Sequence, residues 1–226
     1  MEDRISSERR QVWIPVGSTL LDGDLVLPAN PSGIVVFAHG SGSSRLSPRN
    51  RFVAGVLHEG GLGTLLLDLL TEEEEDRDLR TREHRFDIDL LSSRVTHTLD
   101  WLARQADTAH LRIGLFGSST GAAAALVAAA TRPTAVGAVV SRGGRPDLAG
   151  DALPRVCAPT LLIVGGDDEP VLGMNRTALT RLSCTKQLVI IPGATHLFEE
   201  PGALARVAGI ARDWFREYLA TSDIGG

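Results

Sequence analysis

The sequence predicts an α/β fold, a mostly parallel twisted sheet of about eight strands with helices on both faces. Three observations predict it. Short, continuous, β-branched apolar runs recur from about residue 33 to the end, the pattern of strands buried on both faces. Segments with helical periodicity alternate with them, as βαβ units require. The first 30 residues depart from this alternation and read instead as an antiparallel hairpin at one edge.

The elements follow in order. Val12–Pro15 and Leu20–Leu27, separated by Val16–Thr19, form the hairpin. Gly33–His39 is the first buried strand and ends in the turn cluster Gly40–Ser44; Thr64–Leu70 is the second. Ile88, Leu91, Val95, Leu99 and Leu102 mark one helical face by their spacing of three and four. Leu111–Phe116 is a strand, Gly121–Ala130 an Ala-rich helix, and Val136–Val140 the next strand. Thr160–Val164 and Gln187–Ile191 complete the sheet, and Leu204–Leu219 is an amphipathic helix. The acidic patch Glu72–Asp78 reads as a solvated loop within a polar stretch, Thr71–Asp87, that could form a flap. The 18 residues Arg142–Pro159 suffice for a turn and a short helix but not for a cap domain. With no internal repeat and no long Pro/Gly/Ser-rich linker, residues 1–226 are expected to be one domain.

Composition narrows the function classes. At 43% hydrophobic over 226 residues, the chain can bury a full core without disulfides or a structural metal. A formal net charge of −5 argues against a nucleic-acid surface. The basic residues are almost all arginine, Lys186 being the one lysine, and they are scattered rather than clustered. Cys157 and Cys184 have no metal or Cys-x-x-Cys spacing and read as free, buried, small hydrophobes in a reducing compartment. Residues Met1–Arg10 are charged and lack the apolar stretch of an export signal, and the longest apolar run, Ala122–Ala130, is far short of the roughly 20 residues that span a bilayer. The expectation is a cytoplasmic protein with no membrane or nucleic-acid partner, homo-oligomerisation being left open.

Gly117-Ser-Ser-Thr-Gly121 is a Gly-x-Ser-x-Gly match that follows one of the strands and opens the Ala-rich helix. A bare match is weak, but this context is the one the pattern needs. A sharp strand-to-helix turn leaves no room for side chains two positions either side of the serine, so both are glycine. Such a turn would expose the Ser119 hydroxyl at the C-terminal edge of the sheet and free the Thr120 N–H to face a developing oxyanion. A serine hydroxyl needs a base, and the base an orienting carboxylate. Acids stand just past a strand in Gly165-Gly-Asp-Asp-Glu-Pro-Val171, and His196 lies in Pro192-Gly-Ala-Thr-His-Leu-Phe-Glu-Glu200 past the last strand. The order serine, acid, histidine, each beyond a strand C-terminus, is that of a hydrolase built on an open parallel sheet.

The segments His39-Gly-Ser-Gly, Gly117-Ser-Ser-Thr-Gly, Val164-Gly-Gly-Asp-Asp-Glu-Pro-Val and Gly193-Ala-Thr-His-Leu-Phe resemble the α/β-hydrolase fold and, within it, the dienelactone hydrolase-like hydrolases. The resemblance spans roughly residues 12 to 220. It implies Asp168 as the acid, three residues before Val171, and leaves Asp167 without a role. It implies Ser41 and Thr120 as the backbone donors of the oxyanion hole, and His39 as a structural histidine holding the oxyanion turn. Dienelactone hydrolases use a cysteine nucleophile, whereas Ser119 occupies the elbow here, so the resemblance does not extend to dienelactone as substrate.

The expected activity is therefore that of a serine hydrolase cleaving small carboxylic esters, with Ser119, Asp168 and His196 catalytic and the Ser41 and Thr120 N–H groups stabilising the oxyanion. No cofactor or metal is expected: no His-x-x-x-His, His-x-His or phosphate-loop pattern is present, and Asp167–Glu169 is explained by the orienting acid. Arg142 and Arg145 follow a strand and could reach an anionic substrate group, a surface or salt-bridged role being the simpler expectation. An acyltransferase or thioesterase would use the same three residues, and a non-catalytic binding module on this scaffold would be expected to lose one.

Overall fold

The computed structural model of the protein describes residues 8–220. Of the charged opening Met1–Arg10, on which the expectation about export rests, residues 1–7 lie outside the described residues. Eight strands form one sheet, β1 (Glu8–Val16), β2 (Thr19–Leu27), β3 (Ile34–Ala38), β4 (Gly63–Leu67), β5 (Ile113–Ser118), β6 (Val136–Arg142), β7 (Thr160–Gly165) and β8 (Lys186–Ile191). Their order is β1-β2-β4-β3-β5-β6-β7-β8. The expected hairpin is present: β1 pairs antiparallel with β2 through a tight turn in which Gly17 takes φ 60°. β2 runs antiparallel to β4, and every later neighbour is parallel.

The helices are α1 (Pro48–Glu59), α2 (Glu72–Thr81), α3 (Ile88–Leu102), α4 (Thr120–Thr131), α5 (Glu169–Arg181) and α6 (Ala203–Leu219). A 3-10 segment, Pro146–Arg155, fills most of the β6–β7 connection, and no cap domain intervenes. Because strand side chains alternate, consecutive residues feed two separate cores. Val35, Phe37, Phe116, Val140 and Ile163 meet α1 and α6 through Leu57, Val207 and Phe215. Val36, Leu65, Leu115, Val139 and Leu162 meet α3, α4 and α5 through Val95, Leu99, Leu126 and Ala178. Each such fully buried side chain contributes roughly 1.5–3 kcal/mol of hydrophobic stabilisation. Among the described residues no helix is long and apolar enough to cross a membrane.

Two expectations are corrected. Glu72–Asp78 is not a solvated loop but most of α2, started by a capping box in which the Thr71 hydroxyl accepts from the Glu74 N–H and the Glu74 carboxylate from the Thr71 N–H. Glu74 also receives both arms of Arg94, a buried guanidinium on α3, and the Asp78 carboxylate is buried among donors from His84 and Arg85. Glu74 and Asp78 thus find cationic partners further along the chain, while Glu72, Glu73 and Asp76 stay exposed. Cys157 is exposed rather than buried, because its strand-like flank lies before β7; Cys184 is half-buried.

Candidate active site

Three strand ends bring the site together. At the β5–α4 turn Ser119 adopts φ 50°, ψ −123°, a conformation that side-chain-bearing residues avoid and that stores about 1–3 kcal/mol of strain. The surroundings dictate it. A Cβ on Gly117 would collide with the α4 backbone at Ala122, and one on Gly121 with the carbonyl oxygens of Ala38 and His39. On Gly40 a Cβ would come within 2.9 Å of the Ser119 Cβ. The Ser119 carbonyl accepts from the N–H groups of Ala122 (3.1 Å) and Arg145 (3.0 Å), so the turn is tied to both following segments.

At the β7–α5 turn, Gly165 lets the backbone of Ala194 and Thr195 pass directly over it. Asp168 stands at the N-terminal boundary of α5, and its Oδ2 accepts from Nδ1 of His196 at 2.7 Å. A carboxylate facing Nδ1 fixes the proton there and leaves Nε2 as the acceptor. Asp168 is largely covered, at 12% side-chain exposure, whereas His196 remains open at 40%. Asp167, one position earlier, is exposed and uses its N–H to bond the Ala194 carbonyl. The histidine loop is held by Glu200, which accepts from the Thr195 N–H (3.0 Å) and hydroxyl (2.6 Å), and by buried Phe198 at φ 57°. Gly143, just past β6, gives the imidazole its space: a Cβ there would lie 3.5 Å from His196 Cε1 and 3.2 Å from the His196 carbonyl.

At the end of β3, buried His39 takes the structural part expected of it. Its Nε2 accepts from the Leu69 N–H at 2.9 Å, so Nδ1 carries the proton and donates to the Gly40 carbonyl at 2.9 Å. Burial pushes its pKa down, keeping the ring neutral. Ser41 and Thr120 are neighbours, but the Ser41 N–H is engaged: it donates to the Thr120 hydroxyl at 3.1 Å, with the two hydroxyls 3.0 Å apart. The Ser41 hydroxyl in turn donates to the Arg85 carbonyl at 3.1 Å, linking this point to the segment after α2. Between them lies a pocket walled by Leu69, Leu70, Leu79 and Leu91, with Glu75 and Asp78 above. Burial, then the charges of Asp68, Asp76 and Asp78, raises the Glu75 pKa.

The structure thus joins Asp168 to His196, and Ser41 to Thr120, at the C-terminal edge where Ser119 stands. Arg145 is salt-bridged to Asp147, as expected, while Arg142 is buried and has no carboxylate partner among the described residues, which its sequence context does not foretell. Sequence reasoning also passed over Gly143, Glu200 and the contact from Arg85. The Thr71-x-x-Glu74 capping box was a legible signal for α2; nothing local marks the others. Among the described residues no group of three His, Cys, Asp or Glu side chains gathers as a metal site.

Comparison with known proteins fits this geometry. The model of the "Dienelactone hydrolase family" matches residues 21–219. A crystal structure of a dienelactone hydrolase from Anabaena variabilis superposes with a TM-score of 0.93 at 62% identity, covering 94% of this chain and 99% of that one. Est1E from Butyrivibrio proteoclasticus shares the fold, with a TM-score of 0.77 at 17% identity over 93% of this chain and 99% of Est1E. A Mycobacterium tuberculosis protein named "Putative phosphoribosyl transferase" is 58% identical over 209 residues, which are 92% of this chain but 46% of that protein. The chain therefore spans about half the length of the curated relatives it matches. A serine-bearing elbow, an acid–histidine pair on neighbouring strand ends and a family match across nearly the whole sheet converge, and the chain belongs to the dienelactone hydrolase family of α/β-hydrolases.

Proposed function

We propose that the protein is a serine hydrolase of small carboxylic esters, working through an acyl-enzyme on Ser119. The observation that carries this reading is the strained turn that lifts Ser119 out of the sheet edge onto which the His196–Asp168 pair also projects. His196 Nε2 takes the Ser119 proton as the oxygen attacks the ester carbonyl, and Asp168 holds the Nδ1–H and stabilises the imidazolium that forms. The Ser41 and Thr120 N–H groups receive the oxyanion, each worth roughly 3 kcal/mol of barrier. In the resting geometry the Thr120 hydroxyl holds the Ser41 N–H, so the substrate carbonyl oxygen must replace it there. His196 then protonates the departing alcohol and activates water against the acyl-enzyme, which releases the acid and restores Ser119.

The leucine-walled pocket beside Ser41 suits a short acyl or alkyl group, and the absence of a cap between β6 and β7 suits small, freely diffusing esters. We take the whole chain as one domain, a reading supported by its single continuous sheet. The transferase name of the longer relatives we assign to the half of those proteins outside the match, since the matched half carries the hydrolase family signature. The test is intact mass after treatment with a fluorophosphonate. A single adduct on the wild type and none on Ser119→Ala is expected. No adduct on either protein would overturn the reading in favour of a binding module on a hydrolase scaffold.

A further inference from the structure

The three residues of the proposed mechanism leave the sheet at the ends of β5, β7 and β8, and β6 lies between the first two. The segment that leaves β6, Gly143–Arg145, touches the carriers of all three. Its Arg145 N–H donates to the Ser119 carbonyl at 3.0 Å. A Cβ on Gly143 would stand 3.5 Å from His196 Cε1, so the segment runs against the imidazole. The Gly144 carbonyl accepts at 2.9 Å from Nδ2 of Asn175, on the helix α5 that opens at Asp168. One short stretch of backbone, which carries none of the three, is thus common to them.

Asn175 stands apart from its neighbours. It is 0% exposed, and the other buried residues of α5, Val171, Leu172 and Ala178, are apolar. A buried amide is costly unless its protons are used. Both are used here, since Nδ2 also donates to the Val171 carbonyl at 2.8 Å, one turn back on the helix. Leucine has the same branched skeleton and would fill the place without that cost, so packing does not ask for an amide. The Gly144 carbonyl does. Gly144 is buried, and among the described residues no backbone N–H donates to its carbonyl.

The start of α5 shows what the tie is for. An aspartate at a helix N-terminal boundary ordinarily turns its carboxylate onto the first free N–H groups and anchors the helix there. Asp168 makes no such bond, because its Oδ2 faces His196 Nδ1 instead, at 2.7 Å. The boundary is held by the Asp168 N–H on the Gly165 carbonyl, at 3.2 Å. Asn175 follows seven residues later, about 10 Å along the axis, and fixes α5 to the end of β6.

We propose that Asn175 is a positioning residue: by tying α5 to the segment after β6, it holds the Asp168 carboxylate on His196 Nδ1. Its effect on turnover rests on the hydrolase reading above, whereas its effect on the acid–histidine pair does not. The two are therefore measured separately, in the intact protein.

The first readout is the tautomer of the neutral His196 ring, followed by NMR on protein labelled with nitrogen-15 histidine and assigned by loss of the signal in His196→Gln. Wild type should carry its proton on Nδ1 alone. Asn175→Leu keeps the skeleton, removes both donors, and should give a mixture of the two tautomers. The second readout is phenyl acetate hydrolysis. Asn175→Leu should lower kcat at least tenfold with KM within twofold, since a displacement of about 1 Å at a catalytic group costs on the order of 100-fold. Leu57→Ala, a truncation in the core on the α1 side, is the control for general destabilisation and should change neither readout. If Asn175→Leu does not fold, Asn175→Ser replaces it. Its hydroxyl bonds the Val171 carbonyl but is too short for Gly144, so a mixed tautomer and a kcat loss of at least threefold are expected. A pure Nδ1–H tautomer in the variant would overturn the proposal, whatever the rate. The same mixture in Leu57→Ala would overturn it too, because lost stability would then suffice. A mixed tautomer confined to the Asn175 variant, with kcat unchanged, would leave the positioning role standing and sink the hydrolase mechanism that depends on the pair.

Discussion

At the β5–α4 turn, Ser119 is held in a strained conformation by the backbone of its neighbours, with Gly117, Gly121 and Gly40 leaving room for nothing larger. Across Ser41, α2 hangs over the leucine pocket from two arginine–carboxylate pairs, Arg94 with Glu74 and Arg85 with Asp78, and from one hydroxyl contact. The first region is a matter of contact distances between backbone atoms of two adjoining strand ends. The second is a matter of charge between side chains. Steric constraints of the first kind are indifferent to salt and pH and tolerate no added atom; ionic tethers weaken in steps and can be rebuilt by other pairs. Ser119 is thus rigidly placed, and the helix across Ser41 from it is adjustable.

This contrast can be broken from the rigid side first. Ser119→Ala should lower esterase turnover about 10⁶-fold while leaving urea-induced unfolding nearly unchanged, since the strain is in the backbone rather than the hydroxyl. Retained turnover would move the nucleophile elsewhere. Gly121→Ala forces a methyl group into the Ala38 and His39 carbonyls and should cost about 3 kcal/mol in a denaturant titration, or prevent folding outright. A loss below about 0.5 kcal/mol would mean that the turn is softer than its packing implies.

The cover should respond more gently. Arg94→Met leaves Glu74 and the Leu69 carbonyl without their cationic partner and should cost about 2 kcal/mol, discounted because Glu74 is partly in water. Hydrogen exchange should speed up in residues 71–87 before it does in the sheet. Acid should produce the same local release. Burial alone would raise the Glu74 carboxyl pKa, but its bonds to Arg94 and to the Thr71 N–H bring it down to about 2. A carboxyl depressed on folding adds stability above its unfolded value near 4.5, and that contribution fades as pH falls from there through about 2. Exchange in residues 71–87 that is flat with pH across this window, after correction for intrinsic rates, would show that the pair does not hold α2. The smallest effect belongs where the two regions meet. Thr120→Val removes the hydroxyl that occupies the Ser41 N–H and should raise kcat/KM by up to about fivefold, the worth of one ordinary hydrogen bond. A fall instead would mean that the hydroxyl assists the oxyanion rather than competing with it.

The same division explains what could be read from residues alone. The inner strands of the parallel sheet were legible because burial on both faces demands uninterrupted runs such as Val35–Phe37 and Leu161–Val164, while the half-exposed edge strand β8 was legible from its apolar run Leu188–Ile191. Gly117-x-Ser119-x-Gly121 was legible because the residues the turn demands fall within five positions, although the atoms that exclude a side chain at Gly121 belong to Ala38 and His39 on another strand. The helix α2 was misread as a solvated loop because its charges look solvated until Arg94 and Arg85 are in place. Cys157 was misplaced for a related reason, since apolar character says nothing of which side of a strand end a residue occupies. Arg142 was noticed for its place after a strand, but its burial without a carboxylate among the described residues was not legible, for an unmet charge is a property of the fold and not of the tripeptide Ser141-Arg142-Gly143.

The hydroxyl chain from Thr120 through Ser41 to the Arg85 carbonyl has a thermodynamic consequence. On the proposed mechanism, an arriving carbonyl oxygen takes the Ser41 N–H from Thr120. The Ser41 hydroxyl has already given its one proton to the Arg85 carbonyl and meets the Thr120 hydroxyl as an acceptor, so the exchange at the N–H leaves that tether in place. Filling the oxyanion hole therefore trades an amide–hydroxyl bond for an amide–carbonyl one and asks no movement of the segment after α2.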